Sequence, residues 1–361
     1  MNRKKNFFAG PSVLPMEVLE EMRDQMVDYK GIGLSMIEAS HRGGTFEDMY
    51  HECLGLLREL MGIPENYRVF FLGGGATLQF AMIPMNFLRP TTVADYIKSG
   101  TWANKATSDA KKIGDVHVYY DGTENKFTSL PKASTVHPSA NSSYLYLCSN
   151  ETIGGIEWQD WPETGDVPLI ADMSSDLLSR PVPVEKFSMI YGGVQKNLGP
   201  AGATLIILRD DMLNRQNTNL PAYLDYKLHA EDDGLYNTPP VFSIWGVKLV
   251  LEWIKRNGGA EGMARRAMLK SSLIYDVIDQ SNGFFRSPVD PTYRSKMNIC
   301  FRLPTEALEE KFLAETKSAG MLGLKGHRSV GGLRASVYNA LPVEDVQALA
   351  DLMKEFNRIN G

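Results

Sequence analysis

LIADMSSDLLSRPVPVEKFSMIYGGVQKNLGPAGATLIIL, residues 169–208, contains three short apolar runs separated by polar and glycine-rich turns. The first run ends at Asp172, the second runs into Gly192-Gly193, and Lys196 follows in the same turn, 24 positions after Asp172. Short apolar runs bounded by turn residues predict buried strands, and ligands of open α/β sheets lie beyond the carboxyl ends of such strands. The segment therefore predicts a ligand site that contains both Asp172 and Lys196.

Strand and helix patterns alternate outward from this segment. The predicted strands of the main sheet are 68–72, 93–96, 116–120, 144–148, 169–171, 189–191 and 204–208, and the predicted helices are 15–29, 46–61, 78–88, 241–256 and 262–278. This alternation is typical of an α/β fold with a mainly parallel sheet covered by helices on both faces.

The C-terminal part of the chain has a different pattern. It predicts strand 298–303, helix 305–319, strand 333–337 and helix 343–357. We expect a large domain over 16–257 and a smaller C-terminal α+β domain over 258–361, joined by the N-terminal segment 1–15.

Composition excludes several classes of protein. The 361 residues are 43% hydrophobic and 22% charged, as in ordinary globular proteins, and the formal net charge is −5. This balance gives no reason to expect a nucleic acid or an acidic membrane as a partner. No run approaches the ~18 apolar residues of a membrane span, and the N-terminus has no signal-peptide pattern. A small anionic substrate would therefore need a local cluster of cations.

The cysteines indicate a reduced setting. Cys53, Cys148 and Cys300 are odd in number and far apart, which suggests neither a disulfide framework nor a metal site. We expect a cytoplasmic protein without a bound metal.

Lys196 and Asp172 fit the chemistry of pyridoxal 5′-phosphate (PLP). This cofactor needs a lysine to form a Schiff base and an acid to keep its pyridine nitrogen protonated, so that the ring accepts electrons. A lysine among glycines is by itself more often a solvated turn residue, and it is the arrangement of the two strands with Asp172 and Lys196 that favours the catalytic interpretation.

Other segments fit a flat, anionic cofactor. FFLGGGATLQ, residues 70–79, leads from a strand through three glycines into a helix and predicts a phosphate cradle, although a structural turn is the alternative. Trp102 in SGTWANKA could stack on a pyridine ring or be a packing residue. Asn237-Thr238 before two prolines could contact a phosphate from a partner subunit.

An ordered set of segments from residue 7 to residue 340 carries a family resemblance. The segments are FFAGPSVLP, SHRGGTF, FLGGGATLQF, SGTWANKA, SNETIGGIEW, ADMSSDLLSRP, GGVQKNLGPAG, NTPP and KGHRSVGGLRASVYNA. Together they resemble the phosphoserine aminotransferase family, which belongs to the class V aminotransferases of PLP fold type I. One departure is Ala9, where some members of the family have a serine near the substrate.

The resemblance implies an activity and a set of site residues. It implies exchange of an amino group between glutamate and 3-phosphohydroxypyruvate in serine biosynthesis, and in bacteria also a step of pyridoxine biosynthesis, by a homodimer with composite sites. It places PLP on Lys196, the ring nitrogen on Asp172 and the ring on Trp102. The implied remaining cofactor contacts are Ala76, Thr77, Thr152 and Gln195, with Asn237 and Thr238 from the partner, and the implied substrate cluster is His41, Arg42, His327, Arg328 and Arg334.

The basic cluster can also be interpreted from its chemistry. Arg42, Arg328 and Arg334 lie in glycine-rich segments and carry forked guanidinium groups that suit carboxylate and phosphate. His41 and His327 each precede an arginine, and a nearby dianion favours their charged form. A single arginine is usually a surface residue, so the argument depends on the repeated His-Arg pair.

Two alternatives stay open at this point. A PLP-dependent lyase or desulfurase would share the cofactor site, but a desulfurase needs a mobile reactive cysteine, and Cys300 lies in the apolar segment MNICFRL, where we expect burial. A non-catalytic protein that binds a phosphorylated metabolite could use the same glycine turn and arginines.

Overall fold

A seven-stranded sheet lies at the centre of the computed structural model, which describes residues 3–361. The strands are β1 (Lys5–Asn6), β2 (Tyr67–Leu72), β3 (Val93–Lys98), β4 (Val116–Asp121), β5 (Ser142–Cys148), β6 (Asn150–Glu151), β7 (Ile156–Glu157), β8 (Leu169–Asp172), β9 (Met189–Gly193), β10 (Thr204–Arg209), β11 (Asn298–Phe301), β12 (Met321–Leu322) and β13 (Leu333–Ser336). The α-helices are α1 (Met16–Asp24), α2 (Gly44–Met61), α3 (Gly75–Phe87), α4 (Thr101–Ala110), α5 (Tyr226–Glu231), α6 (Val241–Arg256), α7 (Gly259–Gln280), α8 (Glu306–Ser318) and α9 (Val343–Asn360).

The order of the strands in the central sheet is β2-β10-β9-β8-β5-β3-β4. Strand β10 runs antiparallel to both of its neighbours, and the pairs β9-β8, β8-β5, β5-β3 and β3-β4 are parallel. The predicted α/β class with a mainly parallel sheet is confirmed. The carboxyl ends of β2, β3, β5, β8 and β9 consequently meet along one edge of the sheet.

The core forms on both faces of this sheet because strand side chains alternate. In β10, Leu205 and Ile207 pack into one buried cluster with residues of α1, α2 and α6, whereas Ile206 and Leu208 pack into a second cluster with residues of α3, α4 and α5. All four side chains are fully buried. Burial of such a side chain contributes roughly 1.5–3 kcal/mol, which explains why continuous apolar runs form these strands.

Three helices differ from the prediction, and one of them is α5, for which the sequence pattern predicted no helix. The predicted helix 15–29 is shorter in the structure, where α1 ends at Asp24. A short turn follows, because Lys30 has a left-handed backbone (φ 51°) and Asp28 Oδ1 accepts the Gly33 N–H at 2.8 Å. Helix α4 was not predicted, since only a Gly-Thr turn was expected before Trp102.

A third buried cluster belongs to the C-terminal part of the chain. It contains apolar residues of α7, α8, α9, β11 and β13, together with Phe7 and Val13 of the N-terminal segment. Strand β1 pairs in parallel with β12, so the N-terminal segment is tied to this part of the molecule. Helix α7 contributes to the first and the third clusters. The division at residues 257 and 258 stays a prediction.

Buried asparagines connect the central sheet with the C-terminal part. Asn197 Oδ1 accepts the backbone N–H of Asn339 at 3.0 Å, and Asn150 Nδ2 donates to Asn298 Oδ1 at 2.8 Å. All four side chains are at most 4% exposed, so their amide groups need hydrogen-bond partners inside the protein. Within residues 3–361, no helix is both long enough and apolar enough to cross a membrane.

Candidate active site

The carboxyl edge of the sheet opens into a cavity of about 280 Å³, near the lower end of the range for small-molecule sites. It is lined by nine of the residues that the sequence singles out: Ala76, Thr77, Trp102, Thr152, Asp172, Gln195, Lys196, His327 and Arg334. The fold therefore brings together residues that are up to 258 positions apart, from Ala76 to Arg334.

Lys196 lies in the turn between β9 and β10. Its Nζ donates a hydrogen bond to Thr152 Oγ1 at 2.7 Å and lies 5.6 Å from the centroid of the Trp102 ring. Burial lowers the pKa of Lys196 from its usual value of 10.5, although the negative charge of Asp172 opposes this effect. A lower pKa increases the fraction of neutral amine, which is the nucleophilic form.

Asp172 ends β8 and is 3% exposed. Its Oδ1 accepts two hydrogen bonds from Ser174, from the backbone N–H at 2.9 Å and from Oγ at 2.6 Å. The Ser174 hydroxyl also accepts the Gly193 N–H at 3.0 Å, which ties the carboxylate to β9. No donor within residues 3–361 binds Oδ2, so this oxygen is available to a ligand.

The predicted phosphate cradle is the N-terminus of α3. Gly74 and Gly75 have left-handed backbones (φ 84° and 66°), which glycine adopts without strain, and a Cβ at Gly74 would lie 2.5 Å from Leu78 Cδ2. The tight turn places Ala76 and Thr77 in the first turn of the helix, where backbone N–H groups have no partner inside the helix. Such groups and the helix dipole favour a phosphate.

Trp102 lies in the first turn of α4, with its ring at the cavity. Lys105, three residues further along the helix, places its Nζ 4.5 Å from the centroid of that ring. The backbone N–H groups of Trp102 and Ala103 donate to the two carboxylate oxygens of Glu151 at 3.0 and 2.8 Å. Burial raises the pKa of Glu151 to about 7.

Two members of the predicted basic cluster reach the cavity. Arg334, in β13, donates from Nη1 to the Thr152 carbonyl at 3.2 Å, and its buried Nε has no partner within residues 3–361. His327 Nδ1 lies 2.7 Å from Ser329 Oγ. Burial and the positive charge of Arg334 lower the pKa of His327 from its usual 6.5. The cavity therefore presents a permanent cation, Arg334, and an imidazole whose charged form a bound anion would favour.

The other predicted members lie outside the cavity of this chain. Arg42 is exposed, with its Nε 3.4 Å from His41 Nε2, and Arg328 is exposed as well. Asn237 and Thr238 are also exposed, and the Asn237 amide donates to the Thr238 carbonyl at 3.1 Å. A single chain brings none of these side chains to the wall of the cavity.

Three residues with contacts at the site were not predicted from the sequence: Glu151, Ser174 and Lys105. Each lies inside a segment that was quoted for another residue, because Glu151 precedes Thr152, Ser174 follows Asp172 and Lys105 follows Trp102. The signal that the sequence offered for Glu151 was its position next to Thr152, shortly after the apolar run 144–148.

The N-terminal segment also contributes to the wall. Ala9 lines the cavity, and its carbonyl accepts a hydrogen bond from the Tyr338 hydroxyl at 2.9 Å. The Ser12 N–H donates to the Gln195 carbonyl at 3.0 Å, and the Ser12 hydroxyl donates to the carbonyl of Lys196. The turn that carries Lys196 is thus held by residues from the start of the chain.

These features fit PLP. Lys196 offers a buried amine, Asp172 offers a free carboxylate oxygen, and α3 offers unpaired N–H groups for a phosphate. Within residues 3–361, no group of three or more His, Cys, Asp or Glu side chains is placed to hold a metal ion.

Cys300 does not suit the desulfurase alternative. The expectation that it is buried was too strong, because the residue is only half-buried. Its thiol nevertheless donates to the Ile153 carbonyl at 3.3 Å, and burial raises its pKa to about 12. A thiol with this pKa stays protonated near pH 7 and is a poor nucleophile.

Comparisons with known proteins agree with a PLP-binding site. The family model "Aminotransferase class-V" matches residues 5–349. A phosphoserine aminotransferase of Lysinibacillus sphaericus is 48% identical over 356 residues, which are 99% of this chain and 98% of the relative. Such identity over whole chains shows common family membership.

Solved structures are similar over the same length. The phosphoserine aminotransferase of Bacillus circulans subsp. alkalophilus has a TM-score of 0.98 at 48% identity, and the match covers 100% of both chains. The PLP-bound phosphoserine aminotransferase of Trichomonas vaginalis has a TM-score of 0.89 at 38% identity, covering 98% of this chain and 100% of that one. The cavity with Lys196 and Asp172 and these similarities together show that the chain is a PLP-dependent enzyme of the class V aminotransferases and belongs to the phosphoserine aminotransferase family.

Proposed function

We propose that this enzyme exchanges an amino group between L-glutamate and 3-phosphohydroxypyruvate, giving 2-oxoglutarate and O-phospho-L-serine. The observation that supports this choice best is the presence of Arg334 and His327 on the wall that also carries Lys196. A substrate with an anion at each end needs cations on both sides of the reacting carbon. An assay of glutamate formation from phosphoserine and 2-oxoglutarate, with alanine and aspartate as competing donors, tests the proposal.

Lys196 moves the proton of the substrate Cα in this proposal. When bound, PLP supplies an electron sink that stabilises the negative charge left on that carbon. The lowered pKa of Lys196 favours the neutral amine that accepts the proton, and the Thr152 hydroxyl holds Nζ in place. Asp172 holds a proton on the ring nitrogen through its free oxygen.

The remaining cavity residues bind and orient. Ala76 and Thr77 bind the cofactor phosphate through the N-terminus of α3, assisted by Gln195, and Trp102 lies against the ring. Thr152, which accepts the hydrogen bond of Lys196, would also contact the ring oxygen of the bound cofactor. Arg334 binds the α-carboxylate that all amino-acid substrates share, since its guanidinium is held by the Thr152 carbonyl.

The distal group of the substrate is bound by His327 and Arg328, together with His41 and Arg42. Phosphoserine and glutamate differ at this end, where one carries a phosphate and the other a carboxylate. We expect Arg334→Ala to impair both donors, because one charge-assisted contact contributes about 1.5–3 kcal/mol, or roughly 10–150-fold in affinity. Arg328→Ala and His327→Ala should impair phosphoserine more than glutamate, because a dianion offers more charge and more acceptor oxygens.

Comparison of kcat/KM for both donors in the three variants measures this difference. Arg68→Ala is a suitable control, because Arg68 is an exposed cation that pairs with Asp210 at 2.8 Å and does not line the cavity. Equal losses for both donors in the Arg328 and His327 variants would contradict the assignment of the distal pocket.

Asn237 and Thr238 complete the cofactor site of a partner subunit in this proposal, and His41 and Arg42 complete its substrate site. The support is that all four side chains lie outside the cavity of their own chain, although the family resemblance assigns them to it. The active form is then a homodimer with two composite sites, the commonest symmetry among oligomeric enzymes.

Composite sites predict that two inactive variants restore each other. In Thr238→Asp, the new carboxylate repels the cofactor phosphate, and Lys196→Ala removes the reactive amine. A heterodimer of the two has one site with both native residues, so co-refolding equal amounts should give about a quarter of the wild-type activity. The measurement is activity after co-refolding, with each variant refolded alone as the reference.

A second pair serves as the control. Lys196 and Asp172 line the same cavity of one chain, so co-refolded Lys196→Ala and Asp172→Asn should restore nothing. Restoration by this pair, or none by the first pair, would argue against the partner role of Thr238.

Two finer assignments belong to the same proposal. The phosphorylated hydroxythreonine of pyridoxine biosynthesis carries the same α-carboxylate and phosphate as phosphoserine, so the assay should include it as a second donor. Cys53, Cys148 and Cys300 are free thiols, which supports action in a reducing compartment such as the cytoplasm.

A further inference from the structure

Glu151 is a fully buried carboxylate beside the cofactor cavity, and the mechanism above gives it no role. It lies in β6, next to Thr152, and within residues 3–361 no lysine or arginine forms a salt bridge with it. Its two oxygens accept the backbone N–H groups of Trp102 and Ala103 at 3.0 and 2.8 Å, and Ser99 Oγ lies 3.5 Å from Oε1. A buried charge without an ion-pair partner is costly unless it is well hydrogen-bonded.

These contacts cap helix α4 from a distant strand. Residue Gly100 occupies the N-cap position and has no side chain to bind the free N–H groups of the first turn. Trp102 and Ala103 are the second and third residues of the helix, which are the positions that an N-cap side chain normally serves. The carboxylate also meets the positive end of the helix dipole. Glu151 thus serves as the cap of α4, although it lies 48–51 positions later in the sequence than residues 100–103.

The glycine before the helix is shaped for this contact. Its backbone is extended (φ 177°), a conformation that any residue adopts, so the conformation does not explain a glycine here. A Cβ at Gly100 would lie 2.5 Å from Glu151 Cδ and 2.7 Å from Oε2. The missing side chain leaves the space that the carboxylate occupies.

Trp102 packs against the second buried cluster and lies near the Lys105 and Lys196 ammonium groups, but its indole has no hydrogen bond of its own in the described part of the chain. The indole Nε1 is buried and has no hydrogen-bond partner within residues 3–361. The position of the ring therefore depends, besides these contacts, on the backbone of the first turn of α4, which Glu151 holds at the N–H of Trp102 itself.

We propose that Glu151 is a positioning residue for the cofactor, which caps α4 and thereby fixes the Trp102 indole at the height where the pyridine ring binds. This inference rests on the proposed contact between Trp102 and PLP. A cap that only stabilised the fold would leave the affinity for PLP unchanged. The proposed role predicts instead that loss of the two buried hydrogen bonds lowers this affinity.

Glu151→Gln is the most direct test. The amide oxygen can accept only one of the two N–H groups, and its NH₂ group faces the other donor. The full chain, stripped of PLP, is titrated with PLP while tryptophan fluorescence is recorded, in the native sequence and in a Trp102→Phe background. We expect the dissociation constant to rise about tenfold, the equivalent of one charge-assisted hydrogen bond, and the part of the quenching that depends on Trp102 to decrease.

Glu157→Gln is the matched control. Glu157 lies in β7, the partner strand of β6, is 1% exposed and accepts the Lys296 N–H at 2.7 Å away from the cavity. We expect this variant to lower Tm and to keep the native PLP affinity and quenching. An equal rise in the dissociation constant in both variants would reduce Glu151 to a stabilising residue and overturn the inference.

Gly100→Ala tests the same idea without removing the charge, and it serves if Glu151→Gln does not fold. The added Cβ displaces the carboxylate, so PLP affinity and Trp102 quenching should change in the same direction. If either folded variant keeps the native PLP affinity and the native quenching, the positioning role of Glu151 is wrong, but the proposed contact between Trp102 and PLP is unaffected. If Trp102→Phe leaves the quenching of the native protein unchanged, the proposed contact of Trp102 with PLP fails first, and the inference fails with it.

Discussion

Replacing Lys196 with alanine is expected to lower kcat by about 10⁴-fold, the upper end of what a positioned proton-transfer group contributes, with a further loss from the missing covalent link. No other lysine within residues 3–361 lines the cavity, so no second amine can substitute. PLP should still bind through the α3 N-terminus and Asp172. The measurements are kcat with phosphoserine and, independently, the mass of the protein after borohydride reduction.

Lys105→Ala is the control for this prediction. Its ammonium group lies 4.5 Å from the Trp102 ring but outside the cavity wall, so this variant should keep the mass increase of covalently reduced PLP. A Lys196→Ala protein that kept PLP after reduction and dialysis would show that another residue carries the cofactor.

Asp172→Asn is expected to slow the proton-transfer step by about 10²–10³-fold while PLP stays bound. The amide keeps the shape of the side chain and can still accept the Ser174 hydrogen bonds at Oδ1. It cannot balance a positive ring nitrogen, and breaking a buried charge pair typically costs about 3–5 kcal/mol. The deuterium isotope effect on kcat with Cα-deuterated phosphoserine measures the slowed step directly, and it should increase.

Asp176→Asn is the control for this prediction, because it removes a different buried carboxylate from the same segment. Asp176 is buried four residues further on, and burial raises its pKa to about 7. Its partners are the Ser149 hydroxyl and, at 3.6 Å, Arg180, and it does not line the cavity. We expect lower stability with kcat within a few-fold of the native value. Near-native turnover in Asp172→Asn would mean that another acid protonates the ring.

The strands of the large sheet could be predicted because both faces are covered. Strand β10 is a continuous apolar run for this reason, and the runs that end at Asp172 and Gly193 have the same cause. Parallel strands then bring their carboxyl ends together, so the approach of Asp172 and Lys196 follows from the pattern alone.

Helix α4 was not predictable in the same way. Its sequence, TWANKATSDA, contains few large apolar residues, and its N-terminus is stabilised by Glu151, which is remote in sequence. Propensity and local capping signals carry no information about such a contact.

The basic cluster shows a different limit. Arg334 and His327 are placed by β13 and the loop before it, whereas Arg42 lies on the surface of its own chain. Residue type suggests that a guanidinium binds an anion, but not whether it serves the site of its own chain or of a partner. The family resemblance and the repeated His-Arg pair group these side chains together, and the proposed dimer would give the physical reason for the grouping.

The way in which the first residues of the chain are bound has a practical consequence for recombinant work. Phe7 is fully buried, Ala9 lines the cavity, and Ser12 is hydrogen-bonded to the carbonyl of Lys196. An addition or truncation before Phe7 would act on the reactive lysine through the short stretch from Phe7 to Ser12. Residue Gly361, by contrast, is exposed after the last helix. Fusion partners, surface immobilisation and labelling chemistry are therefore better attached at the carboxyl terminus.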